Sequence, residues 1–147
     1  MRQAKAADAA AIAELTRQAY AKWIELIGRE PLPMQVDYAE ALMRHRFDLI
    51  EREGLLVGLI ETVADGDHLL IANLAVAPAA QGQGYGARLL TRAERLARAA
   101  SLSGLRLYTN KRFEENVRFY LRRGFRIERE VPLNGGVAIY MTKALTS

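Results

Sequence analysis

The chain contains no cysteine, which excludes a disulfide framework, a thiolate metal site and a cysteine nucleophile, and removes any tie to an oxidising compartment. No apolar run approaches the roughly 18 residues needed to cross a bilayer. The opening stretch MRQAKAADAAAIAEL lacks the continuous apolar segment of a secretory signal. Secretion and membrane insertion are therefore not expected, and the cytoplasm is the default location. Internal repeats and low-complexity linkers are absent too, so one continuous fold is expected. What is present is an ordinary globular composition. Half of the 147 residues are apolar and 26% are charged, enough for one domain, residues 1–147, with a real core. A net charge of +4 and a pI near 9.6 favour an anionic ligand or partner without choosing among phosphates, nucleic acid and acidic surfaces.

The order of elements follows from punctuation and period. A short strand is expected near Arg2 to Lys5. Asp8 can then cap a long amphipathic helix with the stripe Ile12, Leu15, Ala19, Trp23 and Ile27, ended by Gly28. The break REPLPM precedes a second helix from about Asp37 to Phe47. From Leu49 the period becomes strand-like, with a turn at Asp65 to Asp67. A glycine loop opens a third helix that buries Leu89, Leu90, Ala93, Leu96, Ala97 and Ala100 and stops at Gly104. The strand LRLYTN, the helix FEENVRFYLRRG and a hairpin turned at Asn134 to Gly136 close the chain. Four strands and a helix, then strand, helix and two strands, make an α+β arrangement with a mixed sheet.

The stretch LAVAPAAQGQGYGARLL, Leu74 to Leu90, sets alternating glycines just before a helix, where bare N–H groups can meet something polar. A Walker loop would need Lys and then Ser or Thr after its last glycine, but here Gly86 leads to Ala87, Arg88 and Leu89. Gly82, Gly84 and Ala87 satisfy a dinucleotide fingerprint literally. However, no acidic residue follows at the end of the next strand to hold a ribose, and the preceding meander is the wrong context for a doubly wound sheet.

The same stretch resembles the acetyl-CoA motif of the GNAT-type N-acetyltransferases, with Val76, Pro78, Gln81, Gly84 and Gly86 in register. The segment LYTNKRFEENVRFYLRRGF resembles that family's later strand and helix, with Asn116, Tyr120 and the Gly124–Phe125 pair in place. The resemblance implies the GNAT fold, an α+β three-layer αβα architecture whose central sheet is mixed, mostly antiparallel and splayed at the cofactor site. It also implies acetyl transfer from acetyl-CoA to an amine by direct attack in a ternary complex. Backbone groups of Leu74, Ala75 and Val76 would hold the pantetheine arm and thioester, with the Val76 N–H as an oxyanion donor. Those of Gln81, Gly82, Gln83, Gly84, Tyr85 and Gly86 would bind the pyrophosphate at the positive end of a helix. Tyr120, neutral at pH 7 and carrying one O–H, would protonate the departing thiolate, and Asn116, one turn away on the same face, would orient it or the cofactor.

An attacking amine arrives as an ammonium ion and must lose a proton. Ala72 and Asn73 occupy the strand where the family often carries an acid, so Glu61 on the preceding strand is the candidate base, with His68 behind it. Tyr20, Trp23 and Tyr38 are candidate walls for the acceptor pocket, Trp23 more readily as core. Lys111, Arg112 and Arg118 are candidates for the 3′-phosphate of CoA. A basic module for nucleic acid would use Arg88, Arg92, Arg95 and Arg98, but Glu94 interrupts them and few aromatics lie beside them, so a solvated face is the better reading. A non-catalytic acyl-CoA sensor is the other alternative. The expected partner is a small-molecule or peptide amine, with no membrane, no metal and a homodimer left open.

Overall fold

The computed structural model describes residues 1–133 and 135–145. In chain order the elements are β1 (Arg2–Gln3), α1 (Ala9–Tyr20), α2 (Ile24–Ile27), α3 (Tyr38–Arg44), β2 (Arg46–Arg52), β3 (Leu55–Asp65), β4 (His68–Val76), α4 (Tyr85–Ala99), β5 (Gly104–Asn110), α5 (Glu114–Arg122), β6 (Arg126–Leu133) and β7 (Gly136–Ala144). The strands form one mixed sheet in the order β1-β2-β3-β4-β5-β7-β6. β4 runs parallel to β5, and the pairs β1–β2, β2–β3, β5–β7 and β6–β7 are antiparallel, in line with the mixed, mostly antiparallel sheet expected. Two compact units are distinguished: Met1–Val63 with Ile71–Ala93, and Ala64–Leu70 with the described residues from Glu94 onward.

In the first unit, alternation along the strands sorts side chains to two faces. Phe47, Leu49, Leu59 and Ala75 meet Ile12, Leu15 and Ala19 of α1 and Tyr38 and Ala41 of α3 in one buried cluster. Burying a side chain the size of Phe47 contributes about 2–3 kcal/mol. On the opposite face α4 lies so close that a Cβ on Gly58 would come 3.2 Å from Leu89. Asp48, fully buried, accepts from Arg46 at 2.9 and 3.1 Å and from Arg92 of α4 at 3.3 Å. Removing either guanidinium would leave that carboxylate short of partners in a low dielectric, which is why an acid is tolerated there. Sheet and helices on both faces give the unit its three layers.

In the second unit β7 pairs with β5 from Gly104↔Ala144 to Asn110↔Ala138, and β6 pairs along its other edge. Leu105, Leu107, Ile139 and Met141 are buried on this sheet. Lys143 pairs with Glu94 at 2.5 Å.

Several expectations are corrected. The long first helix is interrupted: α1 ends at Tyr20, a 3-10 turn spans Ala21–Trp23, and α2 ends at Gly28, whose φ of 73° is left-handed. Asp8 precedes α1, but its carboxylate turns back to the Lys5 N–H at 2.7 Å. A 3-10 turn over Ala6–Asp8 puts Asp8 in the right-handed helical region, from which its side chain does not cap the helix ahead. The second helix is shorter than expected. Asp37 caps it through the N–H groups of Ala39 and Glu40, and it ends at Arg44, because Phe47 is needed on β2 opposite Glu61. Ala100 is exposed and α4 ends at Ala99, followed by Ser101 at φ 57°. Gly104 is no helix stop. It opens β5, where a Cβ would come 2.5 Å from the Lys143 carbonyl oxygen. The expected Asn134 to Gly136 turn falls partly on Asn134, outside the described residues; Gly135 has φ 79°.

Gly104→Val should therefore destabilise the protein by about 2 kcal/mol or more, the upper scale of overpacking, because backbone rather than a flexible side chain would have to move. Equilibrium unfolding in urea checks it. Asp8 gives a pH signature. Hydrogen bonds from Arg2, then from the Lys5 backbone, lower its pKa from 3.8 to about 2. A depressed carboxyl pKa contributes stability that is present above pH 4 and lost as pH falls toward 2. Asp8→Asn should thus be less stable than wild type at pH 6, and the gap should close between pH 4 and pH 2 in unfolding curves taken across that range.

Candidate active site

The strand β4 ends at Val76, a 3-10 turn spans Pro78–Ala80, and the glycine loop leads into α4. Gly82 and Gly84 have φ of 80° and 87°, and a Cβ on either would meet nothing within 4 Å. The loop is open on that side and held in a backbone shape that glycine adopts without strain. Its two glutamines turn back onto the protein. Gln81 donates to the Val76 carbonyl at 3.2 Å. Gln83 accepts from Arg52 at 2.8 Å and donates to the Ala79 carbonyl at 3.4 Å. The first backbone bond into α4 runs from the Arg88 N–H to the Gly84 carbonyl at 3.1 Å, so the N–H groups just before Arg88, including those of Tyr85 and Gly86, have no acceptor inside the helix. Unpaired N–H groups, the positive end of a helix and glycines with free space make a cradle for a phosphate-sized anion. These residues fit the pyrophosphate of coenzyme A. Of the strand residues expected to hold its thioester arm, Ala75 is core, Leu74 and Val76 are half-buried, and the Leu74 carbonyl accepts from the Tyr20 hydroxyl at 3.4 Å.

Behind the strand lies a polar network. Asn73, 3% exposed, donates to Thr16 at 3.2 Å and to the Tyr38 hydroxyl at 3.1 Å, and accepts from Tyr20 at 3.1 Å. Tyr38 donates to the Pro33 carbonyl at 2.6 Å, and burial pushes its hydroxyl up to about 12, so it stays protonated at working pH. Tyr20 and Tyr38, expected as pocket walls, thus fasten α1 and α3 to β4, and Trp23 is buried as core. Glu61 lies on β3 opposite Phe47 and is buried, its carboxylate 2.6 Å from Nδ1 of His45. Burial raises its pKa, and the His45 hydrogen bond opposes that rise. His68 is paired with Asp67 at 2.7 Å.

In the second unit, Tyr120 of α5 is 8% exposed and stands edge-on to Phe119 and Phe125 at 5.3 and 5.4 Å. Burial drives its pKa above the ordinary phenol range, so it carries its proton throughout the physiological range. Leu121, next on α5, is exposed, while Asn116 is half-buried. Lys111 pairs with Glu130 at 2.8 Å; Arg112 and Arg118 are exposed.

A family model described as the acetyltransferase (GNAT) family matches residues 10–125. The chain belongs to that family. It is an N-acetyltransferase that uses acetyl-CoA. Solved structures share the fold of this GNAT chain at low identity. PaiA N-acetyltransferase from Thermoplasma acidophilum, in complex with coenzyme A, is 20% identical, with 99% of this chain and 100% of that one covered and a TM-score of 0.82. The ribosomal-protein-S18-alanine N-acetyltransferase from Escherichia coli is 19% identical, with 99% and 92% covered and a TM-score of 0.78. Ard1 from Thermoplasma volcanium is 20% identical, with 99% and 97% covered and a TM-score of 0.76. A search of curated proteins finds no match. No helix among the described residues is long and apolar enough to cross a membrane, and no group of acidic or histidine side chains among them could hold a metal.

Sequence reasoning missed two side chains that bond candidate site residues. Arg52 reaches Gln83 from the end of β2, just before the two-residue turn at Glu53 and Gly54 with φ of 54° and 79°. His45 meets Glu61 from a position sixteen residues earlier. Neither pairing has a local signal. Gly84→Asp should abolish acetyl-CoA binding, raising Kd about 100-fold or more, because a carboxylate would occupy the anion's space and the backbone would be strained at φ 87°. Isothermal titration with the purified variant checks it, alongside a melting curve that should stay within a few degrees of wild type.

Proposed function

We propose that this GNAT chain acts as a single acetyltransferase domain that moves the acetyl group directly to a primary amine, of a small molecule or a peptide, while donor and acceptor are both bound. The observation that supports this reading is the glycine loop leading into α4, open beside Gly82 and Gly84, in the same unit as a buried, hydrogen-bonded carboxylate, Glu61. The first suits an anionic donor and the second a proton acceptor. A chain without cysteine offers no thiol for an acyl-enzyme, which also favours direct attack.

In this reading the backbone of Leu74, Ala75 and Val76 holds the thioester arm, the Val76 N–H polarises its carbonyl, and the loop from Gln81 to Gly86 holds the pyrophosphate. Glu61 belongs to the centre that takes the proton from the incoming ammonium. Tyr120 is the acid for the departing thiolate. The phenol is protonated at working pH, the form a donor needs; burial also weakens it as an acid, so the role rests on the family motif that Tyr120 occupies rather than on its pKa. Asn116, one turn earlier on α5, orients the donor or the phenol through its amide.

Initial velocities measured with a panel of amines test the order of events. Lines that intersect when both substrates are varied support attack in a ternary complex, whereas parallel lines would mean a covalent acyl-enzyme and overturn it. Tyr120→Phe keeps the ring against Phe119 and Phe125 and removes the proton. Turnover should fall about 100-fold, with acetyl-CoA affinity and thermal stability near wild type. Stopped-flow measurement of the acetyl-transfer step checks this, and an unchanged rate of that step would return Tyr120 to the core.

A further inference from the structure

We propose that the group meeting the amine's proton is His45, with Glu61 behind it as its positioning partner. This rests on the N-acetyltransferase reading above and refines its proton-accepting centre. The side chain of Glu61 is 5% exposed and that of His45 is 29% exposed, so within the pair it is the imidazole that an amine or water can reach. The 2.6 Å contact joins Nδ1 to Oε2. A carboxylate there accepts, so Nδ1 carries the hydrogen and the lone pair of Nε2 is left for a proton from outside. This is the logic of an acid-supported imidazole base: the carboxylate fixes the tautomer and stabilises the imidazolium once it forms.

The fold holds the pair from both sides. His45 ends α3, its N–H donating to the Ala41 carbonyl at 2.8 Å with φ −120° and ψ 158°. Two residues later Phe47 pairs with Glu61 across β2 and β3. The neighbouring charges are engaged elsewhere. Arg44 bonds Glu40 along α3, Arg46 bonds Asp48 toward the opposite face, and Tyr38, a neutral hydroxyl, faces Pro33 and Asn73.

The balance is simple. The ammonium gives one proton to Nε2 of His45, the freed nitrogen forms its bond to the acetyl carbon, and the bond from that carbon to sulfur breaks. The nitrogen's second proton replaces the one delivered to the thiolate, so the products are an amide, the thiol and one proton, which His45 releases to solvent.

The test uses His45→Gln, whose amide N–H can still donate to Glu61 but whose side chain cannot take a proton. We expect kcat/KM for the amine to fall about 100-fold. KM for acetyl-CoA and the melting temperature should stay near wild type. The acid limb of the kcat/KM profile should vanish in His45→Gln and persist in Glu61→Gln, which keeps the imidazole. Millimolar imidazole should restore activity to His45→Ala about 10-fold and leave His45→Gln, with its site filled, unchanged. Wild-type rate and profile in His45→Gln would overturn the proposal. So would an acid limb lost in Glu61→Gln and kept in His45→Gln, which would return the proton to the carboxylate while leaving acetyl transfer standing. A wild-type protein that binds acetyl-CoA but acetylates no amine would overturn both this proposal and the reading beneath it.

Discussion

A helix whose first N–H groups are left for a ligand, behind glycines with open space beside them, must be held in place by its surroundings, and much of the first unit is arranged to hold α4. Gly58 lets the helix come to the sheet at Leu89, Arg92 bonds the buried Asp48, and Gln81 and Gln83 tie the preceding loop to the strand and to Arg52. None of these contacts fills the space beside Gly82 and Gly84. The loop therefore has its shape fixed from behind and its N–H groups left for a ligand, which lowers the ordering cost of binding an anion there.

The other face of the sheet solves a different problem, how to keep polar groups inside without leaving them unpaired. Asn73 spends its amide on Thr16, Tyr38 and Tyr20, and so fastens two helices to β4. Glu61 has a single strong partner, His45, and a raised pKa that records incomplete compensation for burial. The contrast between a fully bonded amide and a carboxylate with a raised pKa on one face supports the proposed proton-accepting role of the Glu61 and His45 pair over one for Asn73. Membership of the GNAT family names the reaction, and these environments distinguish residues that could take part in it from those that hold the frame.

In the second unit burial keeps a phenol protonated. Tyr120 sits between two phenylalanine rings and holds its proton more tightly than a solvated phenol. Packing alone would explain the ring; the hydroxyl is what the proposed role uses.

The glycine loop, the sheet's mixed character and the succession of elements were legible in the sequence because each rests on local physics: φ above zero for Gly82 and Gly84, the strand-length apolar run in LLVGLIETVAD, an Asp37 side chain within reach of Ala39 and Glu40. The family followed from two such local motifs at the right separation. Tertiary structure decided the rest. Phe47 left its expected helix for β2 because the core cluster needed it there, and Gly104 proved to mark a backbone approach at Lys143 rather than a helix end. His45 met Glu61, and Arg52 met Gln83, only because strand register and the path of the loop after β4 carried them together. Periodicity reports which face a residue takes on its own element, but the partner on that face is set by how elements pack, and packing is a property of the whole fold.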